Sequence, residues 1–271
     1  MSLPRNLRVG LALTVLVVGV AVLAEFWTPY PPLAIDVLHR LAPPSAAHWL
    51  GTDNFGRDVL SQLMAGAGTS LFVAVIAVAV GAGIGIPAGV VAAVGGGLVD
   101  TALMRLADLT FAFPALLTAV MITALRGPGA ANAMLAIGIF NIPVFARLAR
   151  GAVLSLLRRD FVLAARAVGV PWRGIAWRHL LPNAAPILLV QATIQFALAV
   201  LADAALSYLG LGAQPPQPSW GRMLAESQNY VWTDPLLPVL PGIAIVVAVL
   251  GLNLLGDGLR DRLDPKLRRG R

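Results

Sequence analysis

The sequence predicts an all-α integral membrane protein with six transmembrane helices, on three observations. Of its 271 residues, 58% are hydrophobic and only 12% charged, against about 25% charged in an average globular chain. The mean hydropathy of +0.80 comes from Ala/Val/Leu/Ile/Gly runs, several of which reach the roughly 20 residues that a bilayer-spanning helix needs. The basic residues gather in alternate gaps between those runs, the pattern by which a polytopic chain sets its orientation.

The spans fall at residues 9–27, 69–94, 106–125, 131–146, 184–206 and 236–256. The first follows Arg5 and Arg8 and runs into Trp27 and Tyr30, aromatic residues of the kind that settle at a membrane interface. With Val22-Leu23-Ala24 it also resembles a cleavable secretory signal, and the expectation here is an uncleaved anchor. Prolines at 29, 31, 32, 43 and 44 favour an extended course for the segment that follows. Val59, Leu60, Leu63 and Met64 then predict a short amphipathic helix lying at the interface over residues 57–64.

Small residues recur every fourth position of the second span, at Ala77, Gly81, Gly85, Gly89 and Ala93, which predicts a face for close helix packing. Gly81-Ala82-Gly83 is no dinucleotide fingerprint, because it sits inside an apolar run with no strand before it. Pro114 in the third span and Pro143 in the fourth free backbone carbonyls and are candidate kinks. The fourth span is short and carries Asn132 and Asn141, with room to continue past Arg147 as an amphipathic helix. Tyr230 and Trp232 precede the sixth.

With the N-terminus inside, sixteen of the 20 Lys and Arg residues face the cytoplasm, and only Arg40, Arg57, Arg126 and Arg222 lie outside. This bias predicts both termini in the cytoplasm. It also accounts for the net charge of +7 with membrane lipid, and no nucleic acid, as the partner.

No cysteine is present, so disulfides, thiolate metal sites and cysteine nucleophiles are excluded. The single lysine, Lys266, precedes Leu267, so no Gly-Lys-Ser/Thr phosphate loop exists and ATP would have to be bound by another chain. His39, His48 and His179 are scattered, which predicts no metal site. Without a Gly-x-Ser-x-Gly turn there is no candidate nucleophile either. The expectation is a chain with no catalytic, cofactor-binding or metal-binding residue.

The longest cytoplasmic segment, residues 147–182, is basic on one face and carries Leu154, Leu157, Phe161, Ala164 or Ala165, and Val168 at helical spacing. That stripe calls for a partner to cover it. Gly169 suits a helix C-terminus, and Pro171 suits the first turn of a second helix with Trp172, Ile175 and Trp177. The result is a helix-turn-helix projecting from the membrane, and a basic amphipathic pair resting on anionic lipid is its alternative. Arg105 and Asp108, three residues apart, predict a structural ion pair. Asp203 stands near the outer end of the fifth span, where lining a pathway and a helix-end structural role are both open. The outer loop at residues 210–235, with Pro215, Pro216, Pro218 and Trp220, is a candidate surface for an extracytoplasmic protein.

Leu163-Ala164-Ala165, Gly169 and Leu181-Pro182 have the intervals of the "EAA" loop of ABC-importer permeases, with Leu163 in place of the usual Glu and His179 in place of the usual Ile. HWLGTDNFGRD from His48, GGLVDTALMRLADLTFAFP from Gly96, SYLGLG from Ser207 and LGDGLRDRLDP from Leu255 extend the likeness. Over nearly its whole length the chain resembles the C-type permease of dipeptide, oligopeptide and nickel ABC importers. The resemblance implies a type I ABC importer (MetI-like) permease fold in the cell inner membrane. It implies a terminal anchor and outer segment at 1–67, a permease domain at 68–257 with its coupling loop at 147–182, and a tail at 258–271. Implied partners are a paralogous B-type permease, two ABC ATPase subunits holding ATP and Mg, and an extracytoplasmic substrate-binding protein. Leu163, Ala164, Ala165, Gly169, Pro171, Trp172, Leu181 and Pro182 would meet the ATPase, and Asp203 stands where the family commonly has Glu. Peptides are the expected cargo, with a nickel or metallophore importer as the alternative. A secondary transporter working alone through Asp108 and Asp203 is the rival from another class, disfavoured because the chain lacks two matched halves.

Overall fold

The computed structural model describes residues 4–113 and 115–263. The regular structure of the described residues is helical, and an isolated bridge between Thr52 and Asp58 is the only β pairing among them. The helices are α1 (Arg5–Phe26), α2 (Val59–Gly95), α3 (Gly97–Ala112), α4 (Ala115–Arg126), α5 (Ala130–Leu156), α6 (Asp160–Ala167), α7 (Trp172–Ile175), α8 (Leu181–Tyr208), α9 (Trp220–Ser227) and α10 (Leu236–Leu263). Five helical stretches are long and apolar enough to cross a membrane, or six if α3 and α4 together form one broken span. The third predicted span is therefore not one straight helix, because α3 and α4 meet at 83°. Pro114, the expected kink, lies outside the described residues.

The second span is longer than its apolar core. α2 has 37 residues, about 55 Å at 1.5 Å per residue, well beyond a bilayer's hydrocarbon. Residues 57–64 are accordingly no separate interfacial helix: from Val59 onward they are the first turns of α2. Asp58 starts the helix there, its carboxylate accepting from the Ser61 N–H at 2.8 Å and the Ser61 hydroxyl at 2.7 Å. Val59 is then buried in one apolar cluster with Trp220, Met223 and Leu237, which removes it from lipid. The boundaries at 67/68 and 257/258 both fall inside helices, α2 and α10, and residues 264–271 of the expected tail lie outside the described residues.

The stripe of small residues in α2 meets α5. A Cβ on Gly81 would stand 2.3 Å from Asn141 Cβ, one on Gly85 2.4 Å from the Ile142 carbonyl, and one on Gly89 2.2 Å from the Ala146 carbonyl. The two backbones therefore touch over three turns, and dispersion between them replaces a hydrophobic drive that lipid cannot supply. α5 continues as one helix through Pro143 and past Arg147 to Leu156. α1 lies along α10 and α2, and α8 packs on α2, α5 and α10.

On the Arg-poor side, HWLGTDNFGRD folds into an ion-pair network. Arg57 donates to Asp53 at 2.6 Å and to Glu226 of α9 at 2.6 Å, Gln62 donates to Asp53 at 2.7 Å, and Arg222 pairs with Glu226. Arg57 and Asp53 are both buried, and each has its hydrogen bonds, as buried ions require. His48 Nδ1 lies 2.9 Å from Asp58. Trp220, expected on a docking surface, is instead a core residue: it is 3% exposed and its Nε1 donates to the Leu63 carbonyl at 3.0 Å. Its loop is amphipathic at helical spacing, which turns the indole inward while Pro215 and Pro216 stay exposed.

Candidate functional site

The segment at 147–182 forms a hairpin of short helices at the Arg-rich end, between α5 and α8. Its expected apolar stripe does not form a single face, because α5 ends at Leu156 and α6 begins at Asp160, so helical spacing across the break loses its phase. One side of the hairpin is rooted in this chain's own core. Val162 (0% exposed), Ala165 (8%), Ile175 and Leu180 pack with Val90 and Ala93 of α2 and Val153 of α5. Ala165 therefore makes its close contacts internally, while Ala164 on the neighbouring face is exposed.

The other side has no cover. Leu163, Val168 and Trp177 are 50%, 79% and 71% exposed, and Trp172 is exposed beside them. Such side chains in a loop rimmed by arginine mark an interaction surface.

The turn between the arms follows from backbone geometry. The Val170 N–H donates to the Ala165 carbonyl at 3.1 Å and the Gly169 N–H to the Arg166 carbonyl at 2.9 Å, the paired bonds of a Schellman stop. Gly169 takes φ +80°, which an L side chain rarely adopts, although a Cβ there would meet nothing within 4 Å. Pro171 precedes α7 at φ −65°, and the Arg166 guanidinium lies 4.8 Å from the Trp172 ring centroid, tying the two arms together. The backbone then passes through a π turn, Ala176–Leu180, directly into α8 at Leu181 and Pro182.

Two of the loop's arginines hold α3 against α5. Arg150 binds both carboxylate oxygens of Asp100. Arg147 reaches Asp108 at 2.5 Å, so the expected Arg105–Asp108 pair does not form. Arg147 wins because its guanidinium also stacks over Phe111, 4.4 Å from the ring centroid, while Arg105 stays exposed. Phe111 in turn meets Phe140 edge-on at 5.3 Å.

Asp203 is fully buried where α2, α8 and α9 meet. The Ser70 and Ser207 hydroxyls stand beside it, yet neither carboxylate oxygen has a partner at hydrogen-bonding geometry. Ser70 Oγ accepts from the Trp220 N–H and Ser207 Oγ from the Ala213 N–H, which locks the loop before α9 over the carboxylate. One feature escaped sequence reading: Gln195 of α8 donates to Asn141 of α5 at 2.9 Å, both side chains being buried. Amides in otherwise apolar spans are the available signal for such a pair. Among the described residues no three His, Asp or Glu side chains cluster as a metal would require.

Residues 85–269 match the family described as binding-protein-dependent transport system inner membrane component. The chain is 42% identical over 260 residues to a dipeptide transport system permease protein of Alkalihalophilus pseudofirmus, covering 96% of this chain and 86% of that one. It is 41% identical over 254 residues to a glutathione transport system permease protein of Pectobacterium atrosepticum, covering 93% and 84%. Among solved structures, the inward-facing MetNI methionine ABC transporter matches with a TM-score of 0.61 at 21% identity, over 75% of this chain and 96% of that one. That likeness gives the MetI-like permease fold, and the close relatives give the family. With its five or six apolar helices, the chain belongs to the inner-membrane permease components of binding-protein-dependent ABC transport systems.

Proposed function

We propose that this chain is one half of the membrane pore of an ATP-driven importer of short peptides. A paralogous B-type permease supplies the other half, two ABC ATPase subunits bind ATP and Mg and dock on the hairpin from the cytoplasm, and an extracytoplasmic protein delivers the peptide. Both termini lie in the cytoplasm. The observation that carries the reading is the two-sided hairpin, rooted by Val162, Ala165, Ile175 and Leu180 and presenting Leu163, Val168 and Trp177 uncovered. An element held firmly from behind and bare in front transmits a push. α5 and α8 enter and leave the hairpin and are joined in mid-membrane by Asn141 and Gln195, so displacement of the hairpin moves both helices together. The peptide assignment is supported by relatives named for dipeptide and glutathione transport.

The test is the double variant Val168→Ser with Trp177→Ser, expressed with the neighbouring transporter subunits. Both side chains are exposed, so the chain's own melting temperature should not change. ATPase capture on the tagged permease should fall at least about tenfold, as for loss of two apolar anchors from an interface, and peptide uptake should stop. Unchanged capture and uptake would sink the docking assignment.

A further inference from the structure

Beside α1 runs an open groove of about 590 Å³, closed behind by Ala130 and Met134 of α5 and Phe196 of α8 and independent of the hairpin. Val18 and Val22 of α1 and Phe72 and Val75 of α2 form its apolar walls, all well exposed in this chain. Its polar groups are few and sit at one end. Glu25 is in the last turn of α1, two residues before the exposed Trp27, so it lies at the interface depth of the Arg-poor side. Thr69 and Gln217 line the same groove.

Among the described residues none satisfies these groups, and Glu25 and Gln217 are exposed. Among the described residues Glu25 makes no ion pair and no hydrogen bond, while Arg57 and Arg222 on the same side are committed to Asp53 and Glu226. A Cβ on Gly68 would stand 3.5 Å from Glu25 Oε1, so the carboxylate lies against a wall that carries no side chain. The Thr69 hydroxyl and the Gln217 carboxamide are likewise bonded to no other described residue. A carboxylate at the edge of hydrocarbon takes N–H donors or a cation strongly, because water competes less there.

We propose that this groove is a binding site for a phospholipid with a primary-ammonium head group. The ammonium donates to Glu25, Gln217 and Thr69 donate to phosphate oxygens, and an acyl chain lies along Val18, Val22, Phe72 and Val75. A choline head carries no N–H for Glu25, and a purely anionic head meets its like charge, so the head-group selectivity follows from the carboxylate. The site requires that α1 spans the bilayer with this groove toward lipid, and it stands whether or not the chain imports peptides.

The experiment places the full-length chain in nanodiscs of equal phosphatidylethanolamine and phosphatidylcholine, releases it into mild detergent, and counts retained lipid by native mass spectrometry. Wild type should keep a phosphatidylethanolamine molecule in preference to phosphatidylcholine by about tenfold, the effect of a single charge-assisted hydrogen bond. Glu25→Gln should retain both lipids equally, and Val22→Trp, which fills the groove, should retain neither. Melting in lipid-free detergent should be the same for all three proteins. Three results would overturn the proposal: no head-group preference in wild type, a preference that survives in Glu25→Gln, or displacement of the lipid by a dipeptide in wild type but not in Glu25→Gln. The last would make the groove a peptide site.

Discussion

Gly169→Ala and Gly151→Ala are the same chemical change at two glycines whose added Cβ would meet nothing within 4 Å. Packing predicts that neither matters. Backbone geometry predicts opposite signs. Gly169 holds φ +80° at the end of α6, where an alanine costs about 1–2 kcal/mol through the clash of its Cβ with its own backbone. Gly151 lies inside α5, where alanine should stabilise by about 0.5–1 kcal/mol by restricting the unfolded chain. Hydrogen exchange reads the difference locally, at the Gly169 and Val170 amides whose bonds to Arg166 and Ala165 close the turn. Gly169→Ala should speed their exchange by about 5–30-fold, the population change that corresponds to 1–2 kcal/mol. Gly169→Asn should fall between, since asparagine tolerates the left-handed region. In the assembled transporter, Gly169→Ala should then lower the peptide taken up per ATP hydrolysed, because the loosened turn no longer aims Val168 and Trp177. Exchange unchanged in Gly169→Ala, or both alanines shifting stability in the same direction, would refute the backbone reasoning.

Replacing Gly85 by alanine drives a methyl to 2.4 Å from a backbone carbonyl of α5. It should lower the chain's stability by about 1–3 kcal/mol, as overpacking does, while Gly83→Ala, which faces open space, should not; thermal unfolding in detergent compares them. Arg57→Met leaves the buried Asp53 without its cation, while Glu226 keeps Arg222, and should cost about 3–5 kcal/mol, as when half of a buried ion pair is removed. The same unfolding assay reads that loss, and a neutral result would mean water reaches the network. A double-mutant cycle on Asn141→Leu and Gln195→Leu should give a coupling of about 0.6–1.7 kcal/mol, the range for polar pairs between membrane helices, and zero coupling would remove the bond from the account of how α5 and α8 move together.

Most of the membrane architecture could be read from the linear chain because its causes are local in sequence. A run of apolar residues must be helical in lipid wherever it packs, and arginines mark one side whatever they touch, so the spans and their alternation follow from composition. The stripe from Ala77 to Ala93 announced a close contact, and Gly169 announced the turn, since each depends on a single residue's size or backbone freedom. The identity of partners was not local. Asp108 had a basic residue three positions away and still paired with Arg147, because α5 brings a guanidinium held by Phe111 to the same spot. Ala164 and Ala165 are adjacent and chemically identical, yet only the packing of α6 on α2 and α5 puts one in the core and leaves the other bare. Trp220 read as a surface residue in a proline-rich loop until α9 turned it onto α2. The sequence by itself determined which segments are apolar enough to enter the membrane and that the basic residues gather in the hairpin, because solvation of each segment is decided by its own residues. Tertiary structure alone decided which face of that hairpin is rooted and which is free, because burial there depends on Val153 of α5 and on Val90 and Ala93 of α2, the latter some seventy positions before the hairpin.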